Sequence, residues 1–318
     1  MLRAAVTLCA ALFASAAFAQ DYPSKALRIV APFAPGATSD LLGRLVGESL
    51  RAAWNVAVIV ENKPGAGGVI GADFVAKSAP DGHTLLVGAA SIGVMPALYK
   101  ELPFQLYKDL VPVSILGTVP FMLVAHPSLP VRSVQELVAY AKLNPGKLSF
   151  GSGGNGTISH LGGELLKSRA GLDMVHVPFK GGAQSMTALL GGQIHFAIDG
   201  GPHVVSQVKA NAVRLLAVAT RERLAEFAAT PTIAESGFPG FESNAWQSLW
   251  VAGGTPPAAL QKLAAEVQRA VRAPEIAEKF RAMGIEPIGS SPDEAERFVR
   301  AETAKWAEVI RVSGAKAN

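Results

Sequence analysis

Apolar residues follow two alternating rhythms along this chain. From Leu27 to Ala31 they are nearly contiguous, a short run that predicts a strand. From Asp40 to Ala53 they recur at three- and four-residue spacing, with Leu41, Leu42, Leu45, Val46 and Leu50 on one side, which predicts a helix. Val56 to Val60 predicts the next strand, Ile70 to Ser78 the next helix, and Thr84 to Gly88 a strand that follows the Pro80-Asp81-Gly82 turn. This alternation indicates an α/β domain.

A second series begins near Pro120. Strands are predicted at Phe121 to Ala125, Leu148 to Phe150, Val175 to Pro178, Phe196 to Asp199 and Leu215 to Ala219. Helices are predicted at Ser133 to Lys142, Ile158 to Arg169 and Ala183 to Leu190; Ser133 with Glu136 three residues on has the form of a capping box. Residues 231 to 256 are rich in Pro and Gly, and the apolar stretch Trp246 to Ala252 is placed to return the chain to the first domain. The C-terminal part predicts three helices, Pro257 to Ala273, Pro274 to Met283 and Pro292 to Val312, each opened by proline. No repeat of solenoid length is visible.

Glycine-rich turns sit between strand and helix in both series. One is Pro32-Phe33-Ala34-Pro35-Gly36-Ala37-Thr38-Ser39-Asp40; the other is Gly151-Ser152-Gly153-Gly154-Asn155-Gly156-Thr157-Ile158-Ser159-His160. A strand feeding such a turn leaves backbone N–H groups to hold an anion, so the pair suggests two jaws closing on one negatively charged ligand. Thr38, Ser39, Asn155 and Thr157 are placed to add side-chain donors. Asp40 reads mainly as a helix cap. Asp199 ends an apolar run and reads equally as a loop anchor or as a receiver of a ligand amine.

Composition narrows the classes. Arg3, the apolar stretch Ala4 to Phe13 and the small-x-small site Ala17-Phe18-Ala19 predict a secretory signal peptide over residues 1–19. The single cysteine, Cys9, falls inside it, so disulfides and thiolate chemistry are not expected beyond it. The apolar fraction of 49% supports a substantial core, yet no later run reaches membrane-spanning length. A net charge of +4 without a Lys/Arg cluster does not argue for nucleic acid.

Three kinds of chemistry compete with simple binding. Gly151-x-Gly153-x-x-Gly156, with Asp173 further on, has dinucleotide-fingerprint spacing, but export and the plain first turn argue against a nucleotide. Ser152, Ser159, His160 and Asp199 are candidates for nucleophilic catalysis, yet no Gly-x-Ser-x-Gly elbow is present. His83, His160, His176, His195 and His203 share no metal-site spacing. No cofactor, metal or catalytic group is therefore expected.

The chain resembles the periplasmic solute-binding receptors of tripartite tricarboxylate transporters, the Bug family. The resemblance lies in Tyr22-Pro23-Ser24-Lys25, Val30-Ala31-Pro32-Phe33-Ala34-Pro35-Gly36, Val60-Glu61-Asn62-Lys63-Pro64-Gly65-Ala66-Gly67-Gly68 and Ala79-Pro80-Asp81-Gly82. It continues in Gly151 to Gly156, His176-Val177-Pro178-Phe179-Lys180-Gly181, Leu189-Leu190-Gly191-Gly192, Pro231 to Gly237 and Gly254-Thr255-Pro256. These pieces cover nearly all of the predicted mature chain in the right order.

The resemblance implies a two-lobed α/β periplasmic-binding-protein fold of type II, each lobe a sheet flanked by helices. It places lobe 1 at residues 20–120 plus 245–318 and lobe 2 at 121–244, with hinge strands near 119–125 and 244–252. It implies a small organic acid held between the lobes: a di- or tricarboxylate, an aromatic acid or an amino acid. The expected ligand-binding residues are Phe33, Ala37, Thr38, Asp40, Ala90 and Ser91 on lobe 1, and Asn155, Thr157, His160, Lys180, Gly181 and Asp199 on lobe 2. Ala37 offers only its amide where the family often has a hydrogen-bonding side chain. The implied partners are membrane transporter subunits, not nucleic acid, and the implied setting is a monomer in the periplasm of a Gram-negative bacterium. A sensor accessory and an exported hydrolase are the competing readings.

Overall fold

The computed structural model describes residues 22–313. The expected signal peptide and Cys9 lie outside these residues. Strand β1 (Leu27–Ala31) leads through the first glycine turn into α1 (Thr38–Trp54), followed by β2 (Val58–Asn62), α2 (Val69–Ala76), β3 (Thr84–Ala89) and α3 (Ser91–Leu98). β1 lies between β2 and β3, parallel to both.

Helix α1 shows how the packing is made. Its buried face carries Leu42, Val46 and Leu50 together with Gly43 and Gly47, which press against Ile29, Val58 and Val60. Leu41, expected on this face, is turned outward and 40% exposed. The two glycines draw the contact toward their own side of the helix and leave Leu41 about 100° away from Leu42, the rotation of one helical residue.

The chain then crosses in β4 (Leu110–Ala125), a strand of 16 residues. Its first part pairs with β9 (Asn244–Ala252), which also pairs with β3; both pairings are antiparallel. Its last part, Phe121 to Ala125, pairs with β7 (Phe196–Gly200), and Met122 to Ala125 pair with β8 (Arg214–Val218). β7 continues in parallel to β5 (Ser149–Ser152) and β5 to β6 (Val175–Pro178). One long strand therefore belongs to both sheets. The sequence predicts only its second part, because Pro112, Gly117 and Pro120 read as breakers. The register shifts twice, between Pro112 and Ser114 and between Ile115 and Gly117. Gly117 itself is pressed by β10 (Glu286–Pro287): a Cβ there would fall 2.6 Å from the Glu286 carbonyl oxygen.

The second sheet carries α4 (Val134–Leu143), α5 (Ile158–Ala170), α6 (Gly182–Leu190) and α7 (Gly201–Lys209). Ser133 caps α4, accepting from the Glu136 amide as the sequence predicts. Two helices, α3 and α7, lie where the apolar pattern marks no element. α3 contains Pro96 and Gly93, and α7 opens with Gly201-Pro202; a proline in the first turn costs no hydrogen bond. After β9 come α8 (Pro257–Arg272), α9 (Pro274–Ala282) and α10 (Pro292–Ser313), which packs on α3 and α5, one helix from each series. No described helix is long and apolar enough to cross a membrane.

Candidate functional site

Both glycine turns end in the same local construction. Gly36 and Gly156 take φ of +82° and +75°, the left-handed region that disfavours other residues. Ala37 and Thr157 follow as N-caps in extended conformation. The third helical residue then reaches back four positions. Asp40 Oδ2 accepts the Gly36 amide at 3.0 Å, and His160 Nδ1 accepts the Gly156 amide at 3.1 Å. A serine, Ser39 or Ser159, occupies the second helical position in each.

In the first turn, Asp40 Oδ1 also accepts from Arg44 Nη2 at 2.9 Å and from Asn62 Nδ2 at 3.1 Å. Asn62 Nδ2 additionally donates to the Phe33 carbonyl, which ties the turn to β2. Burial pushes the Asp40 carboxyl up, but bonds from Arg44, Gly36 and Asn62 and the Arg44 charge outweigh it and hold it below the usual range. The amides of Thr38 and Ser39 have no acceptor among the described residues, and neither does the buried Ser39 Oγ have a partner.

The second turn is satisfied from within at its glycines, whereas the Ile158 and Ser159 amides, like those of Thr38 and Ser39, have no acceptor among the described residues. The Gly153 amide donates to Ser159 Oγ at 3.0 Å, Gly154 to Ser152 Oγ at 3.1 Å, and Thr157 to the Gly154 carbonyl at 3.3 Å. Thr157 Oγ1 donates to the same carbonyl at 2.7 Å. Below the turn His160 stacks on His176, ring centroids 4.0 Å apart, and His176 Nε2 lies 2.6 Å from Ser152 Oγ. Burial, then the Lys167 charge, lowers His160 to about 4; burial, His160 and Lys167 lower His176 to about 3. The dinucleotide-like spacing thus belongs to a turn whose Gly153, Gly154 and Gly156 amides are already engaged. The serine that meets a histidine is fully buried and outside the cleft wall.

A cleft of about 970 Å³ opens between the two turns, a volume that suits a small molecule. Eight of the expected residues line it: Phe33, Ala37 and Thr38 on one side, and Asn155, Thr157, Lys180, Gly181 and Asp199 on the other. Four do not. The Asp40 carboxylate is engaged by the turn and His160 by Gly156 and His176, while Ala90 is buried and Ser91 opens α3. The wall also includes Ser39, Gly65 to Gly67, Tyr99, Phe179, Gln184, His203 and Gln247, which were not among the expected site residues. A polar residue inside the apolar run Trp246 to Ala252 was the available signal for Gln247. Nothing local marks Tyr99, whose hydroxyl donates to the Ala66 carbonyl at 2.9 Å and so props the Gly65–Gly67 loop.

The electrostatics favour a ligand with negative charge on one side. α1 and α6 both begin at the wall, and α6 presents the amides of Gly182, Ala183 and Gln184, which lack acceptors among the described residues. Lys180 stands exposed at the rim without an acidic partner among the described residues. Asp199 is the exception to this positive lining. Its Oδ1 accepts from the Gly200 amide at 2.7 Å and lies 3.4 Å from His203 Nδ1. Burial would pull His203 down, but the Asp199 bond and charge raise it above its ordinary value. Gly182 lets α6 close on this pair: a Cβ there would fall 2.5 Å from the His203 ring.

A cleft between two sheets that share a long strand, walled by helix starts, defines a two-lobed α/β solute-binding protein, the type II periplasmic-binding fold. The chain belongs to the tripartite tricarboxylate transporter receptor family, TctC, whose model matches residues 42–315. It is 35% identical over 300 residues to protein BugT of Bordetella pertussis, covering 94% of this chain and 92% of that one. The structure of R. palustris Rpa4515 with adipate superposes with a TM-score of 0.87 at 34% identity, covering 93% of this chain and 99% of that one. MatC from Rhodopseudomonas palustris with bound malate does so with a TM-score of 0.83 at 30% identity, covering 91% and 100%.

Proposed function

We propose that this protein is a periplasmic receptor that captures a small organic carboxylate in the cleft and delivers it to membrane transporter subunits. The observation that carries the reading is the first turn of α1. There the Thr38 and Ser39 amides and the Ser39 hydroxyl meet the cleft wall without partners among the described residues, a donor cluster suited to one carboxylate. The adipate and malate in the related structures support the ligand class. Phe33, Ala37 and Thr38 face the ligand from lobe 1, taken as residues 20–120 plus 245–318. Asn155, Thr157, Lys180, Gly181 and Asp199 face it from lobe 2, residues 121–244. Closure occurs about hinge strands near 119–125 and 244–252, and the changed outer surface is what the membrane partner reads.

The role is binding without turnover, by a monomer. The Ser152–His176 contact supports this, since the hydroxyl is sealed away from the cleft and the imidazole is held too weakly basic to activate it at neutral pH. Native mass spectrometry of the purified protein, then a thermal-shift panel of di- and tricarboxylates, aromatic acids and amino acids, tests the reading. A single dominant acid that raises the melting temperature is expected. Failure of every acid to co-purify or stabilise would refute it.

A further inference from the structure

Asp199 is a poor companion for a ligand that is negative at both ends. The residue is 4% exposed and lines the cleft. One oxygen is engaged by Gly200 and His203, whereas Oδ2 is buried without a hydrogen-bond partner among the described residues. A carboxylate oxygen only accepts, so a bare Oδ2 calls for a donor. Leaving it unmatched in a closed, water-poor cleft is costly, and bringing a second carboxylate against it costs more.

The groups facing Asp199 do not meet this need. His203 reaches it from α7 but addresses Oδ1. Gly182, at the start of α6, faces Oδ2 with a bare Cα, since a Cβ there would fall 2.9 Å from that oxygen. Lys180 is exposed at the rim and makes no ion pair with Asp199. Gln247, whose Oε1 is also buried and without a partner among the described residues, is an amide that can present either its oxygen or its nitrogen, so it does not select charge.

We propose that the ligand is an amino carboxylate, with its carboxylate on the α1 donors and its ammonium group on Asp199 Oδ2. This rests on the receptor reading above and narrows it. An ammonium group satisfies Oδ2 with a charge-assisted hydrogen bond and removes the like-charge conflict. The two ends of the cleft then have opposite preferences, and a simple dicarboxylate is the wrong match for one of them.

Isothermal titration of the dialysed mature protein with matched sets tests this. One set is 4-aminobutanoate, butanoate and succinate; another is glutamate, glutarate and 2-hydroxyglutarate. In at least one set the amino member is expected to bind at least about 10-fold tighter than its desamino, hydroxy and dicarboxylate counterparts, the scale of one well-placed charged contact. Asp199→Asn, which keeps the acceptor for Gly200, is expected to erase that preference. Dicarboxylates binding as well as or better than the amino members overturns the inference but leaves the receptor reading standing. Equal binding of the hydroxy acid, or a preference that survives Asp199→Asn, also overturns it. Binding of no acid at all removes both readings.

Discussion

The two glycine turns share a backbone plan and differ in where their donors go. In each, a left-handed glycine, an extended N-cap and a back-reaching third helical residue set the helix start. In both turns the first two helical amides lack acceptors among the described residues, but in the first the buried Ser39 hydroxyl at the cleft wall also has no partner there. In the second, Ser159 and Ser152 turn inward to the Gly153 and Gly154 amides. Glycine therefore fixes the path of the chain, while the neighbouring groups decide whether the serine hydroxyl at the second helical position remains available to a ligand. The first turn is built as a receiver and the second as a self-supported wall.

The braces should show the largest difference. Asp40→Ala removes the acceptor for Gly36, Asn62 and Arg44 together, and about 4 kcal/mol of stability should be lost by urea denaturation. His160→Ala removes one acceptor and a stacking partner, and a loss of about 2 kcal/mol is expected. Equal losses would mean that the charged network around Asp40 adds nothing to the shared plan.

Acid should separate the same braces by pH. His160 and His176 are depressed to about 4 and about 3, against 6.5 for an ordinary imidazole. Between these values the unfolded chain binds more protons than the folded one, so stability rises with pH across this window and is fully present above it. For His160 the loss on acidification to its folded value is about 3 kcal/mol. Asp40 is depressed as a carboxyl, so its contribution is lost only as pH falls further, through its own lowered value. Denaturation midpoints measured from pH 7 to pH 3 should decline first with the histidines, and His160→Ala should flatten that first decline. A flat profile from pH 6.5 to pH 4 in the parent protein would contradict the buried neutral pair.

The smallest effects should fall on the serines, and in opposite places. Ser39→Ala should weaken binding of the cognate acid about 10-fold, measured by titration calorimetry, with little change in stability. Ser159→Ala should cost about 1 kcal/mol of stability through the Gly153 amide and leave affinity nearly unchanged. The reverse pattern would exchange the roles assigned to the turns.

Local pattern made much of the fold legible. Strands such as Leu27–Ala31 and Val175–Pro178 coincide with their predicted limits, and the terminal helices open at the predicted prolines. Where the pattern failed, tertiary contacts had overridden it. The first part of β4 bends through its prolines because β9 holds one edge, and α3 accommodates an exposed Pro96 while Ile92 to Met95 before it are buried. In the cleft, the residues of the two turns were readable because glycine spacing is a short-range signal. Gln247 and Tyr99 were not, since their place depends on pairings and contacts made far along the chain.

The sequence by itself determined most of the element order, the paired turns and the family, because these rest on local periodicity and contiguous motifs. Tertiary structure alone decided which donors stay open. Asp40 and His160 occupy equivalent positions, and only their neighbours make one the centre of a charged network and the other half of a neutral stack. It also decided that Asp199 keeps one oxygen bare beside Gly182. Hydrogen-bond satisfaction depends on what surrounds each group in space, and spacing along the chain does not encode it.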